Sequence, residues 1–407
     1  MAEQGGPLKG VRVIELCNTF AGPACARMMA DFGAEVIKVE PPDGDPVRQM
    51  GHFVDGISLQ AVSIQRGKRS LVLDLKTPQG QQVLRDLLRD ADVLIENNRP
   101  GVMERLGFGW DDVHALNPRV VMVRISGYGQ TGPNASRPGY GAICDAFSGV
   151  RELTGDPDRP PSRVALATTD YLTAVYSAFG AMMALFHRQQ SGRGQLVDAA
   201  LYETGFSMME GAVPAFEKLG LVPTRQGPNL PNVAPNSLYP TSDGYVLIAA
   251  NNGPTWERLV RAIERPELLV DARFASVYQR GQNAAALDAI IALWTREHTG
   301  AEVEATMLRH DVPSSRVFTI ADVFRDPHFA AREMLLDVPH PVLGSTRQQG
   351  IVPKLSETPG AVRWSGPEIG ADSVQVLSEV LGYSTSAIQD LIDAGVVVCP
   401  PQPTVEA

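Results

Sequence analysis

Residues 8–40, LKGVRVIELCNTFAGPACARMMADFGAEVIKVE, decide the fold. Val11, Val13 and Leu16 form a short apolar run, Gly22 and Pro23 break it, and Ala24 to Phe32 supply small and apolar helix formers up to a stop at Gly33. Val36, Ile37 and Val39 then make a second strand. Two strands joined by a helix over about 30 residues are a βαβ crossover, which demands parallel strands in a sheet covered on both faces. The turn carries Ala21-Gly22-Pro23 where a dinucleotide site needs Gly-x-Gly-x-x-Gly, so neither a nicotinamide nor a flavin cofactor is expected.

The alternation continues outward. Ser70 to Leu73, Asp92 to Glu96 and Val120 to Ile125 read as strands, and a helix opened by Thr77 or Gln79 runs to Asp90. Val102 to Leu106 and Trp110 to Leu116 read as short helices, and the third strand runs into the glycine-rich turn from Ser126 to Pro133. In such sheets ligands sit at the carboxyl ends of the strands. From Asp170 to Gln190 there is no proline and apolar residues occur on nearly every side, which predicts a long helix buried all round. Gln195 to Val197 reads as a strand and Ala199 to Phe216 as a helix. The proline-rich stretch between Gly220 and Tyr239 predicts a linker, followed by a hairpin or new strand at Tyr245 to Ala250 and helices at Thr255 to Ala262, Ala284 to Trp294 and Ala301 to Arg309. The expected organisation is α/β: a doubly wound parallel-sheet domain over 1–219, a linker and smaller α+β domain over 220–330, and a segment over 331–407 that holds too little apolar material for its own core and returns to the large domain or to a neighbouring chain.

A chain of 407 residues with net charge −10 and 20% charged residues has no clustered basic run for neutralising phosphate backbones, which argues against nucleic acid as a partner. The start, MAEQGGPLKG, has no charged-then-apolar leader, and no window nears 18 uninterrupted apolar residues, so a cytoplasmic protein without a membrane partner is expected. Cys17, Cys25, Cys144 and Cys399 lie far apart and read as reduced thiols. The seven histidines are scattered singly, which points away from a metal site.

What remains for covalent chemistry is a carboxylate. Asp170 stands between VALATT and the long apolar helix, a place that suits an N-cap. The helix dipole and backbone N–H groups there favour the ionised form against the effect of burial. An ionised, poorly hydrated carboxylate can attack an activated acyl carbonyl.

LKGVRVIEL, AGP, DFGAEVIKVE, GKRSLVLDLK, ENNRPGVMERLGF, ISGYGQTGP and SGRGQ, with DGYVLIAANN, DARF, VPSSRV and TPGAVR further on, run in order along essentially the whole chain. In these motifs the chain resembles the class III coenzyme A transferases, among them formyl-CoA transferase and carnitine CoA-transferase, whose fold the α-methylacyl-CoA racemases share. The resemblance implies that Asp170 is the nucleophile, passing through a mixed anhydride and an aspartyl-CoA thioester, with no metal or organic cofactor and coenzyme A thioester as substrate. It implies CoA contacts at Leu73, Lys76, Asn97, Asn98 and Arg105, and an interlocked homodimer.

Departures from the family pattern point to a branch. Tyr140 stands where the racemases have a His acid/base, and Tyr is a poor base for an α-proton at neutral pH, which favours transfer. Phe20 replaces a Gln and Gly141 a Glu of formyl-CoA transferase, which argues against oxalate, and Ala250 to Pro254 keeps one glycine of that enzyme's mobile loop. Phe20, Tyr140, Asn251, Asn252 and Gly253 are therefore the expected acyl-pocket residues. Short dicarboxylates such as succinate, malate, mesaconate, itaconate or glutarate are the expected acids, with Arg48, His52 and Arg163 as candidate holders of the second carboxylate. The alternatives are an acyl-CoA racemase or epimerase pairing Asp170 with another base, and a non-catalytic CoA-binding protein.

Overall fold

The computed structural model describes residues 5–230 and 233–400; residues 1–4 at the start of the stretch read for a leader, 231–232 of the proline-rich linker and 401–407 lie outside the described residues. The chain forms two compact units, one comprising 1–150, 164–213 and 331–407, the other 151–163 and 214–330.

In the first unit β1 (Arg12–Leu16) and β2 (Glu35–Glu40) flank helix α1 (Ala21–Asp31), as the opening stretch predicts. A small hairpin, β3 (Phe53–Val54) with β4 (Ile57–Ser58), and helix α2 (Leu59–Ile64) lead to β5 (Lys68–Leu73). Helix α3 (Pro78–Arg89) follows, its start fixed by Thr77, whose Oγ1 accepts from the Gly80 N–H at 3.0 Å. Then come β6 (Val93–Glu96), α4 (Val102–Arg105), α5 (Trp110–Leu116), β7 (Val121–Ser126), α6 (Gly141–Ser148), α7 (Thr168–Ser191), β8 (Leu196–Ala200) and α8 (Leu201–Phe206).

Six strands are parallel in the order β5-β2-β1-β6-β7-β8. A short antiparallel strand, Val397–Val398, adds beside β5, and the segment after 331 thereby joins the first unit. Strand order reverses at β1, which has β2 on one side and β6 on the other, and such a switch point opens a crevice at the carboxyl ends. Alternate residues of one strand enter different cores: Val13 packs with α1 and α7, while Ile14 and Leu16 pack with α3, α5 and the C-terminal segment. The sheet is doubly wound.

Near its carboxyl edge the α1 face of this sheet turns polar. Register sets Glu15 of β1 beside Lys38 of β2, and all of Glu15, Lys38 and Lys68 are buried. Lys38 Nζ donates to Glu15 Oε1 at 2.9 Å and to the Cys17 carbonyl at 2.8 Å, and pairs with Asp45 at 2.8 Å. Lys68 Nζ pairs with Glu15 Oε2 at 2.7 Å and donates to the Pro23 carbonyl at 2.8 Å. Burial pushes the Lys68 ammonium down, whereas for Lys38 burial is outweighed by Glu15, Asp45 and Glu40, which hold its ammonium above the usual lysine range.

Two elements differ from expectation. Helix α7 buries small residues, Thr173, Ala174, Ser177, Ala181 and Ala184, while Val175, Phe179, Met183 and Phe186 are exposed, Phe186 by 65%. Apolarity alone suggested burial all round; small residues allow close packing on one side, and the large ones are left on the other. The stretch from Ala199 to Phe216 is not one helix, because Ala199 and Ala200 pair with Ile125 and Ser126 in the sheet. The helical part breaks again at Glu210, whose φ is +38°, before a further helix over Ala212–Leu219.

The second unit holds a three-stranded antiparallel sheet of Asn236–Pro240, Tyr245–Ala249 and Ser314–Arg316. Its hairpin turn closes with the Thr241 N–H donating to the Gly244 carbonyl at 2.9 Å. Helices Gly253–Ala262, Ala284–Arg296 and Gly300–Arg309 bury Trp256, Leu259, Leu287, Ile291, Val303 and Met307 against it.

Candidate active site

The carboxyl ends of β1, β2 and β5 frame a cavity of about 600 Å³, lined by Leu16 to Asn18, Val39 to Pro46, Leu73 to Lys76, Asn98, Met103 and Leu106. Asn18 also lines a second, smaller cavity of about 70 Å³, with Thr19, Asn97, Arg99, Ser126, Gly127, Arg137, Tyr140 and Asp170 on its walls. The two cavities share the turn between β1 and α1.

That turn is built tightly. A Cβ on Gly22 would overlap the Cys17 side chain, so glycine lets α1 start directly on the end of β1. Thr19 has φ +61°, a left-handed conformation uncommon for a β-branched residue, and donates its N–H to Asp45 Oδ1 at 2.9 Å. Asn18 is clasped by the Asn97 side chain, which accepts from the Asn18 N–H at 2.9 Å and donates to its carbonyl at 2.8 Å. Asp45 in turn pairs with Lys38 and receives the Val47 N–H, so the buried charge network holds the turn from below.

Asp170 is the third residue of α7 and the N-cap is Ala167, so the carboxylate lies inside the first turn and not at the cap position. It remains where the amino-terminal end of the helix dipole favours an anion. The carboxylate abuts Gly141, the first residue of α6: a Cβ there would overlap Oδ2. Thr169 Oγ1 donates to Asp145 Oδ1, which ties the starts of α6 and α7 together. Close by, the Cys144 thiol lies 3.3 Å from the Gly127 carbonyl. Burial first, then the charges of Asp170 and Asp145, push that thiol up to about 12, so it stays neutral at physiological pH. Of the two nucleophile candidates here, the neutral thiol is the weaker.

Leu73, Lys76 and Asn98 line the larger cavity; Asn97, Tyr140 and Asp170 line the smaller one. The Asn97 amide, expected to hold coenzyme A, is engaged with Asn18 on both its oxygen and its nitrogen. Arg105 is exposed on α4 and lines neither cavity. Phe20 is the N-cap residue of α1 and packs partly buried against the core. Asn251, Asn252 and Gly253 belong to the second unit, where the Asn252 side chain caps the Gly253–Ala262 helix by accepting from the Thr255 N–H at 2.9 Å.

Arg48 does not stand ready for a substrate carboxylate. Its guanidinium pairs with Glu40 at 2.6 Å and donates to the Pro367 carbonyl at 3.0 Å. Burial pushes the Glu40 carboxyl up, but Arg48, Lys38 and the Asp45 N–H outweigh it and hold it at about 2. His52 and Arg163 are exposed, Arg163 in the second unit. Arg99 and Arg137 are cavity residues not among those expected from the sequence; Arg99 stands inside the quoted ENNRPGVMERLGF, and Arg137 follows the quoted ISGYGQTGP by four residues. Among the described residues Lys76 on the larger cavity and Arg99 and Arg137 on the smaller make no ion pair, so cationic groups border both cavities of a chain whose net charge is −10.

Residues 8–373 match the pattern of the CoA-transferase family III. The "Succinyl-CoA--D-citramalate CoA-transferase" of Chloroflexus aurantiacus is 44% identical over 381 residues, covering 93% of this chain and 95% of that protein. The "Succinyl-CoA:mesaconate CoA-transferase" of Haloarcula hispanica is 36% identical over 397 residues, covering 94% and 99%. The crystal structure of a CAIB/BAIF family protein from Brucella suis matches with a TM-score of 0.83 at 33% identity, covering 92% of this chain and all of that one. With the parallel sheet, its switch-point crevice and matches running nearly end to end, the chain is an enzyme of the CoA-transferase family III.

Proposed function

We propose that this enzyme moves coenzyme A from succinyl-CoA to another short dicarboxylic acid, with Asp170 as the covalent nucleophile. The observation that carries the reading is a helix-start carboxylate in a cavity of about 70 Å³, adjoining through Asn18 a cavity of about 600 Å³. The larger space suits coenzyme A, with Lys76 and Arg105 as phosphate partners and Leu73 and Asn98 as neutral contacts. The smaller one suits a compact acyl group. Asn97 acts by fixing the Asn18 turn, and Phe20 and Tyr140 are the proposed surroundings of the acid. The relatives named for citramalate and mesaconate act with succinyl-CoA, which supports the same donor here.

Asp170 attacks the thioester carbonyl, the C–S bond breaks, and coenzyme A leaves as thiolate, giving a mixed anhydride. The thiolate attacks the aspartyl carbonyl and expels succinate, leaving an aspartyl-CoA thioester. The acceptor carboxylate attacks that thioester, frees the thiolate and forms a second anhydride, whose acyl carbonyl the thiolate then takes to give the new acyl-CoA and free Asp170. Bonds exchange without water, redox change or metal. Among the described residues no histidine lines either cavity, which favours transfer over epimerisation. Incubating the enzyme with succinyl-CoA and a panel of acids is expected to yield the CoA esters of citramalate, malate or mesaconate; no transfer to any dicarboxylate overturns the substrate assignment.

We also propose a homodimer acting in the cytoplasm. The exposed apolar residues Val175, Phe179, Met183 and Phe186 on α7, with Ile143 and Phe147 on α6, suit cover by a partner chain. Among the described residues no helix is long and apolar enough to cross a membrane, and the four cysteines are unpaired, which fits a reducing compartment. Light scattering is expected to give about twice the chain mass of 43.8 kDa; a single-chain mass at working concentration overturns the dimer.

A further inference from the structure

We propose that Asp45 is a positioning residue: by holding Thr19 in its left-handed conformation, it fixes the Asn18–Thr19 peptide where the two cavities adjoin. The inference rests on the reading of these cavities as the substrate site and names a residue that shapes it from outside.

The peptide is gripped at both ends. Asn97 Nδ2 donates to its carbonyl, that of Asn18, at 2.8 Å, and its N–H, that of Thr19, donates to Asp45 Oδ1 at 2.9 Å. The two clasps reach it from opposite sides of β1: Asn97 follows β6, and Asp45 lies beyond the end of β2. The Thr19 hydroxyl turns back to the Asn18 carbonyl at 2.7 Å and so ties the turn to nothing outside itself. A β-branched residue at φ +61° keeps that conformation only where its surroundings impose it.

Asp45 is placed to impose it. Its side chain is buried, Oδ2 pairs with Lys38 at 2.8 Å, Oδ1 also accepts the Val47 N–H at 2.9 Å, and its own N–H donates to Glu40 Oε2 at 2.9 Å. A carboxylate held at both oxygens cannot follow a turn that relaxes. The Val47 bond caps the short 3₁₀ turn Pro46–Gln49 and the Lys38 pair belongs to the buried network, so both serve the fold. The bond to Thr19 instead reaches the wall that Asn18 and Thr19 share with Asp170. Without it Thr19 returns to negative φ, the peptide rotates, and that wall shifts against the Asp170 carboxylate.

The test pairs Asp45→Ala with Thr19→Gly, because glycine adopts a positive φ unaided. Both single variants, the double variant and Asp170→Asn are compared with the parent for kcat, KM for succinyl-CoA and melting temperature. Asp45→Ala is expected to lower kcat on the order of 100-fold, the scale of an ångström misplacement at a reacting centre, with KM changed by less than about threefold. In the Thr19→Gly background the same change is expected to cost less than about fivefold in kcat, while the fall in melting temperature, which comes from the unpaired Lys38, is the same in both backgrounds. Where Asp45→Ala leaves too little folded enzyme, Lys38→Met is added to both backgrounds to remove that ammonium, and the same comparison is read. An Asp45→Ala enzyme that keeps kcat within about threefold, or that loses as much in the Thr19→Gly background as in the parent, overturns the positioning role. A fully active Asp170→Asn enzyme refutes the nucleophile and leaves the coupling of 19 with 45 to be decided by its own rates; an inactive one without that coupling refutes the clamp alone.

Discussion

Asp170→Asn is expected to lower turnover by roughly 10⁴-fold or more, the scale on which enzymes lose activity when a covalent nucleophile is removed. Asn keeps the size and place of the side chain in the first turn of α7, beside Gly141, so the geometry of both helix starts is preserved. Under the proposed mechanism, what disappears is the anionic oxygen that attacks the acyl carbon. The lost attraction between an anion and the helix start costs about 0.3–1 kcal/mol. Steady-state assays give the rate, and mass spectrometry of the quenched enzyme gives the cause: the peptide holding Asp170 should carry a CoA adduct in the parent and none in the variant. An Asn enzyme that turns over at the parental rate removes the basis of the mechanism.

The second large effect lies beneath the site. Glu15→Gln is expected to destabilise the enzyme by about 3–5 kcal/mol, because removing one partner of a buried ion pair leaves the other charge uncompensated. Glu15 has no exposed surface and serves two ammonium groups, Lys38 and Lys68. After the change Lys38 still has Asp45 and the Cys17 carbonyl, but Lys68 is left with the Pro23 carbonyl alone. Chemical denaturation of both proteins reads the difference. A loss under about 1 kcal/mol, the worth of an exposed pair, would contradict the reading of this cluster as a buried, interdependent network.

Much of this architecture is legible in the sequence because a doubly covered parallel sheet writes itself as apolar runs punctuated by caps and glycines. The opening β1–α1–β2 unit, the Thr77 cap and the hairpin before Tyr245 follow from local rules. The resemblance to class III transferases is likewise borne out, since the family match covers residues 8–373. Local rules fail where the deciding partner is distant. Arg48 looks like a spare cation until Glu40 is brought beside it, and the Asn97 amide looks available until it clasps Asn18, 79 residues away. The exposed side of α7 escapes a reading based on apolarity, because the division between small and large residues around the helix decides which face is covered. Arg99 and Arg137 escape for a third reason: nothing in their spacing shows that the chain folds them onto one wall with Asp170.

The strained Thr19 turn joins a wide chamber to a narrow one, and among the described residues only Asn18 belongs to the walls of both. Under the proposed mechanism, the handle and the cargo of the substrate are therefore gripped by separate sets of residues that meet at one peptide. Selection can then exchange the cargo by altering the narrow wall while the grip on the handle stays as it was, which is how one scaffold can serve many acids.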